Sequence, residues 1–253
     1  MSDYARCMAF LRRGDLGGAR EAPSPVGVGV VDEALALRHD SNYLLVERPD
    51  ATPADVAAEL ARLGLPMALV PDHVQGERLA AALPGWGVHR GLVMVHRRPP
   101  DRPAPAAVVR EVDVEDLRAA RGALLTEQPW ATDAVIAQLL DAKAAIARRV
   151  ALRAFAALVD GALASYTDLY LADGVAQVED VATLPSHRGR GLARAVVLRA
   201  VDEARAAGAG LVFLVAAEDD WPKALYRRLG FDEVGVYVKL TPPARGHSGR
   251  RLS

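Results

Sequence analysis

Apolar and polar positions alternate along the chain in two different periods, and the change from one to the other marks out its elements. Residues 4–13 place Ala5, Met8, Ala9 and Leu11 on one helical face ahead of Gly14. Residues 17–25 are rich in turn formers, and 26–37 and 43–46 read as strands on either side of the polar break His39-Asp40-Ser41-Asn42, a hairpin or a meander. Thr52 then caps a helix that starts at Pro53, where a missing N–H costs nothing, and runs to Leu63 with Gly64 as its stop. A strand at 67–70, a helix at 74–83, the turn Pro84-Gly85-Trp86-Gly87 and a strand at 88–96 complete the order helix, strand, helix, strand.

Residues 97–105, Arg-Arg-Pro-Pro-Asp-Arg-Pro-Ala-Pro, exclude both helix and inner strand, because repeated proline removes donors and favours extended chain; they read as a semi-rigid tether. Beyond it a strand is expected at 107–111, a helix at 114–125 capped by Asp113, and a helix at 134–148. Strands at 150–159 and 162–171 flank Asp160-Gly161, and a strand at 175–184 follows Asp173-Gly174, two turns of the hairpin type. A helix at 192–207 ends at Gly208 and Gly210, a strand follows at 211–216, a helix at 222–229 ends at Gly230, and a last strand covers 234–240.

Composition narrows the class. With 253 residues the chain is long enough for two domains, and 51% hydrophobic against 25% charged residues is a globular balance. A single cysteine, Cys7, excludes an intramolecular disulfide and a multi-thiolate metal site, and reads as an inert apolar residue. A formal net charge of −1 gives no charge-driven reason to expect nucleic acid. The histidines, among them His39, His73, His89 and His96, show no ligand spacing and read as surface or hydrogen-bonding residues, so no metal is expected. No apolar run spans a bilayer and no signal-peptide order opens the chain, so a cytoplasmic protein is expected, with no membrane partner.

The chemistry concentrates at 178–197, a strand that runs through a glycine loop into a helix. Arg188, Gly189, Arg190, Gly191 and Ala193 are cationic or small where that helix begins, so backbone N–H groups and the positive helix end can face a pyrophosphate. The loop is neither a P-loop nor a dinucleotide fingerprint. Arg188-x-x-Gly191-x-Ala193 resembles the acetyl-CoA loop of the GNAT N-acetyltransferases, Gln/Arg-x-x-Gly-x-Gly/Ala, and residues 219–231 are similar to that family's segment ending in Tyr-x-x-x-Gly-Phe, here Tyr226 to Phe231. The resemblance implies an α/β (α+β) protein, a GNAT acyl-CoA N-acyltransferase fold with a central mixed sheet at 106–240. A smaller α/β or degenerate GNAT-like domain at 1–96, the linker at 97–105 and a disordered tail at 241–253 complete the expected division.

It also implies a site. The main chain of Val181, Ala182 and Thr183 would bind pantetheine in a gap that Pro185 suits, the N–H groups of Arg188, Gly189, Arg190, Gly191, Leu192 and Ala193 would hold the pyrophosphate, and Tyr226 would lie near the sulfur as proton donor. Glu179 and Asp180 are the candidates for taking the amine's proton; because successive strand residues face opposite ways, only one is expected in the cleft, and Glu179 is preferred. Asp219 stands where the family has asparagine: it can cap the following helix, but it offers pantetheine no amide donor. Leu214 replaces the glutamate of ribosomal-protein acetyltransferases, and Trp221 would close the cleft or pack under its helix. By the same analogy the acceptor pocket draws on 126–134 and 166–175, within reach of Trp130, Tyr166, Asp168 and Tyr170.

The function implied is acetyl transfer from acetyl-CoA to a primary amine of a small molecule or peptide by direct attack in a ternary complex. A non-catalytic acyl-CoA-binding module is the alternative, a nucleotide-binding protein is a more distant one, and a homodimer is compatible with either. The first half has Glu47-Arg48-Pro49-Asp50-Ala51-Thr52-Pro53 where a second glycine loop would stand, so it is expected to lack an acetyl-CoA site of its own.

Overall fold

The computed structural model describes residues 1–15, 19–148 and 150–243. Helix α1 (Asp3–Asp15) precedes a meander of β1 (Arg20–Ser24), β2 (Gly27–Val31) and β3 (Tyr43–Val46). Then come α2 (Pro53–Leu63), β4 (Ala68–Val70), α3 (His73–Ala81) and β5 (Gly87–His96). Thr52 accepts the Asp55 N–H and Asp55 returns the bond to the Thr52 N–H, a closed capping box, and Gly64 ends α2 in the left-handed conformation. Part of the segment expected as turns, 17–25, is therefore a strand, β1; residues 16–18 lie outside the described residues.

The second half begins with β6 (Val108–Val112), α4 (Arg118–Thr126) and α5 (Asp133–Ala147), the last capped by the Thr132 hydroxyl. Strands β7 (Ala151–Val159), β8 (Ala162–Ala172) and β9 (Val175–Thr183) form an antiparallel meander. Both of its turns pair an aspartate and a glycine at positive φ, Asp160-Gly161 and Asp173-Gly174, as the twist of a two-residue hairpin requires. Helix α6 (Leu192–Ala206), β10 (Leu211–Ala217), α7 (Pro222–Arg228) and β11 (Phe231–Thr241) follow. Thr241, expected in a disordered tail, is thus the last residue of a strand, and 244–253 lie outside the described residues.

All eleven strands belong to one sheet, ordered β1-β2-β3-β4-β11-β5-β10-β9-β8-β7-β6. The two halves exchange strands: β11 lies between β4 and β5 of the first half, and β5 lies between β11 and β10 of the second. Strands β5 and β11 pair along their full length, from Phe231↔His96 to Thr241↔Gly87. Alternate residues feed opposite cores, as a pleated strand dictates. Leu92 and Met94 of β5 pack with α6 and α7, whereas Val93 and Val95 pack with Cys7 and Phe10 of α1.

Residues 97–105 do not hang free between the halves. The Arg97 and Arg98 N–H groups donate to the Gly230 carbonyl (2.9 and 3.1 Å) and the Asp101 N–H to that of Arg228 (2.8 Å). Arg194, buried in α6, holds the Arg102 carbonyl (2.9 Å) and the Asp101 carboxylate (2.7 Å). The expected tether is a fixed strap across the ends of α6 and α7.

Candidate active site

Strands β9 and β10 run parallel, but their ladder stops at Gln177↔Phe213. Past that point β10 keeps its pairing with β5 on one side and β9 with β8 on the other, so a gap opens between them with one edge of β9 unpaired from Val178 to Thr183. The gap points at the glycine loop. Gly189 and Gly191 both sit at positive φ (76° and 78°), and Gly191 begins α6 with no side chain capping the helix. The first N–H groups of α6 are thus left for an anion, as the residue types at Arg188 to Ala193 lead one to expect. Pro105 of the strap lies against Gly191, its Cγ 3.3 Å from where a β-carbon would stand.

A bulge shapes β9 at the same place. Asp168↔Glu179 is followed in register by Tyr166↔Ala182, so Asp180 and Val181 together oppose Thr167. Asp180 takes φ +53°, a left-handed conformation that costs a non-glycine residue on the order of 1 kcal/mol. The extra residue resets the alternation. Glu179 and Asp180 both line one cleft, contrary to the expectation that only one of them does so.

That cleft holds about 570 Å³ and is walled by both halves. Its polar end rests on a buried charge cluster. Asp168, fully buried in β8, accepts from Arg121 of α4 and from Lys143 of α5 (2.7 Å), and Asp180 lies 3.2 Å from each of the same two cations. Tyr170 accepts a hydrogen bond from Lys143 (2.9 Å), and the Arg121 guanidinium stacks over Tyr166 (5.3 Å). The Glu179 carboxylate accepts from the Gln177 side-chain amide (2.5 Å) and from the Asp180 backbone N–H. Burial raises the Glu179 carboxyl above its ordinary value; Lys143 opposes this, while Asp180 and Asp168 add to it. The Lys143 ammonium is held strongly protonated, since Tyr170, Asp180 and Asp168 outweigh the effect of its burial.

Tyr226 lies on the other side of the gap, buried in the core under α6 and α7 and edge-on to Phe231 (6.2 Å). Burial, then the Glu179 and Asp220 carboxylates, raise its phenol well above the usual value, so it keeps its proton at any physiological pH.

Among the acceptor residues expected by analogy, Trp130, Tyr166 and Tyr170 line the cleft. Asp168 does not: it is sealed beneath the wall and positions Arg121 and Lys143. Asp219 does not cap α7; Asp220 does the nearest thing, accepting the Trp221 N–H at 2.7 Å. Trp221 is exposed and neither closes the cleft nor packs under its helix. His96 is half-buried beside Phe231 and hydrogen-bonds the Leu229 backbone, while its Nε2 is buried with no partner among the described residues. Burial pushes the Cys7 thiol up to about 12, which leaves it without nucleophilic thiolate.

Arg121, Lys143, Gln177 and the first-half wall of Arg38, Tyr43, Met67 and Leu69 were not foreseen. A signal existed for the cations. An aspartate inside the apolar strand around Asp168 needs buried positive partners, and Lys143 stands alone in the run Ala142 to Ile146.

Residues 116–231 match the acetyltransferase (GNAT) family. The second half carries a GNAT acetyltransferase domain. No curated protein sequence matches the chain. Solved structures share its fold across both halves. A GCN5-related N-acetyltransferase from Kribbella flavida is 22% identical with a TM-score of 0.66, the match covering 96% of each chain. One from Sphaerobacter thermophilus is 17% identical with a TM-score of 0.57, covering 85% of this chain and 76% of the other. A tandem GNAT protein of the clavulanic acid biosynthesis pathway is 19% identical with a TM-score of 0.52, covering 85% and 78%. The GNAT domain's gap, bulge and glycine loop are therefore set in a fold that these solved structures share over most of their length. Among the described residues no group of His, Cys, Asp and Glu is placed to hold a metal ion, and no helix is long and apolar enough to cross a membrane.

Proposed function

We propose that the protein moves an acetyl group from acetyl-CoA to a primary amine by direct attack within a ternary complex in the cytoplasm. The strongest support is the gap between β9 and β10, which opens beside Glu179 and leads to the open start of α6, with Tyr226 in the core that packs Val178 and Val181 of the same strand. The residues present fit the co-substrate: the N–H groups from Arg188 to Ala193 meet its pyrophosphate, and the unpaired backbone of Val181, Ala182 and Thr183 meets its amides. Asp219 adds at most an acceptor there. Acetyl-CoA supplies an activated thioester.

The chain's own groups do the rest. Glu179, its carboxyl raised above the ordinary value by burial, takes a proton from the acceptor ammonium directly or through one water, and the neutral amine so formed attacks the thioester carbonyl. Tyr226, held protonated, donates to the departing thiolate. Asp180, Arg121, Lys143 and Asp168 fix the geometry and field around Glu179. The cleft on the Glu179 side receives the acceptor.

The first half is proposed to be a degenerate GNAT-like partner. Its α2, β4, α3 and β5 repeat the order α6, β10, α7 and β11. The counterpart of the loop is capped, however: the Thr52–Asp55 box takes the Thr52 and Asp55 N–H groups, Pro53 has none to offer, and Arg48 pairs with Asp55. Release of free CoA from acetyl-CoA across a panel of amines tests the whole proposal. CoA binding with no amine-dependent release would leave only an acyl-CoA-binding module.

A further inference from the structure

Resting on that acetyl-transfer proposal, we infer that the acceptor is an extended zwitterion, a primary amine joined by an apolar span to a distant anionic group that Arg38 of the first half reads. The cleft is electrically lopsided. At the GNAT-domain end, Arg121 and Lys143 face Asp168, Asp180 and Glu179, which leaves one negative charge in excess, and Glu179 has no cation within ion-pair distance among the described residues. At the far end the balance reverses: Lys239 and Arg38 stand with Asp40, whose carboxylate is taken by Lys239. The His89 imidazole beside them is held below its ordinary value by burial and by the Lys239 charge, against the pull of Asp40 and Asp219. Arg38 lines the cleft hydrogen-bonded to the Ser41 hydroxyl (2.5 Å) and within electrostatic reach of Asp40, but with no carboxylate in ion-pair range among the described residues. The walls between the two ends are apolar, with Tyr43, Met67, Leu69, Leu125 and Ile146 among them.

The two ends are far apart. Glu179 is on β9 and Lys239, beside Arg38's neighbour Asp40, is on β11, with β10 and β5 between them. Three strand spacings of about 4.8 Å set a minimum of about 14 Å at the backbone, before side chains reach inward, because β9 has already parted from β10 at Glu179. An α-amino acid, whose two charges are about one residue apart, cannot bridge that distance. A chain of about three extended residues, at roughly 3.3–3.6 Å each, can. A plain alkylamine would leave the Arg38 charge unanswered, and a diamine would be repelled by it.

The test is calorimetric binding to the CoA-loaded protein of ω-aminooctanoate, octylamine, glycine and trileucine, in wild type, Arg38→Gln and Arg38→Lys. The wild type is expected to prefer ω-aminooctanoate to octylamine by about tenfold or more, the worth of a charge-assisted hydrogen bond. Arg38→Gln should erase that preference without weakening octylamine, Arg38→Lys should keep it, and glycine should bind weakly to all three. Equal affinities for the two long amines in wild type, or a preference that survives in Arg38→Gln, overturns the inference. Trileucine bound with the same dependence on Arg38 supports it and places the acceptor among peptides. A zwitterion that binds through Arg38 yet releases no CoA from acetyl-CoA would sink the transfer chemistry and leave the charge reading standing.

Discussion

Glu179 and Tyr226 are opposite solutions to the same burial. Loss of water favours the neutral form of each, which makes the carboxyl a stronger base and keeps the phenol a proton donor. The pH dependence follows from the sign. Glu179 works only when deprotonated, so activity rises as pH climbs through its raised pKa, above the usual carboxylate range. Asp180→Asn removes a negative neighbour, lowers that pKa and should move the acidic limb of kcat/KM toward lower pH; asparagine tolerates the left-handed backbone there. Glu179→Gln should flatten the limb and cost more turnover than Asp180→Asn, and the opposite ranking in a pH-rate series would assign the proton to Asp180. Tyr226→Phe keeps the ring on Phe231 and should lower kcat by about ten- to a thousandfold, with acetyl-CoA affinity within a few fold. Unchanged kcat would leave Tyr226 as packing alone.

At the level of elements, a turn and a bulge decide the site. Gly191 starts α6 at φ 78° without a side-chain cap, so its neighbours' N–H groups remain for a ligand. Acetyl-CoA at about 100 times its dissociation constant should raise stability by roughly 2.7 kcal/mol if it binds only the folded chain. Gly191→Asp puts a carboxylate among those donors and presses on Pro105, and should abolish the thermal shift. A folded variant that still shifts would mean the co-substrate lies elsewhere. The loop was legible in the sequence because glycine and arginine spacing is local. The bulge was not: nothing in Val-Glu-Asp-Val announces that Asp180 leaves the strand conformation, and only the register against β8 reveals it.

The whole molecule behaves as one sheet rather than two beads on a string. Among the described residues the sheet partners of β11 are β4 and β5, both from the first half, so a fragment of residues 104–253 leaves its last strand unpaired and the β10 edge bare. Such a fragment should elute as aggregate or lose its near-ultraviolet circular dichroism. A soluble, fully active fragment would contradict the strand exchange. Titration of the intact chain should give one acetyl-CoA per polypeptide, since the α2 start is closed by its own capping box. Two equivalent sites would show that the closure is not effective.

Local rules determined most of the elements: the Thr52 cap, both aspartate-glycine hairpins, the glycine loop and the helix after it are each set by residues a few positions apart. Even the buried cations were half legible, since Asp168 in an apolar strand demands partners. Tertiary structure alone decided who those partners are, that β5 and β11 change places, and that Arg38 faces the same cleft as Glu179. The reason is physical: backbone propensity and capping act within one turn of chain, whereas strand order depends on which apolar faces meet. Here that meeting joins residues more than a hundred positions apart, as Val238↔Val70 does.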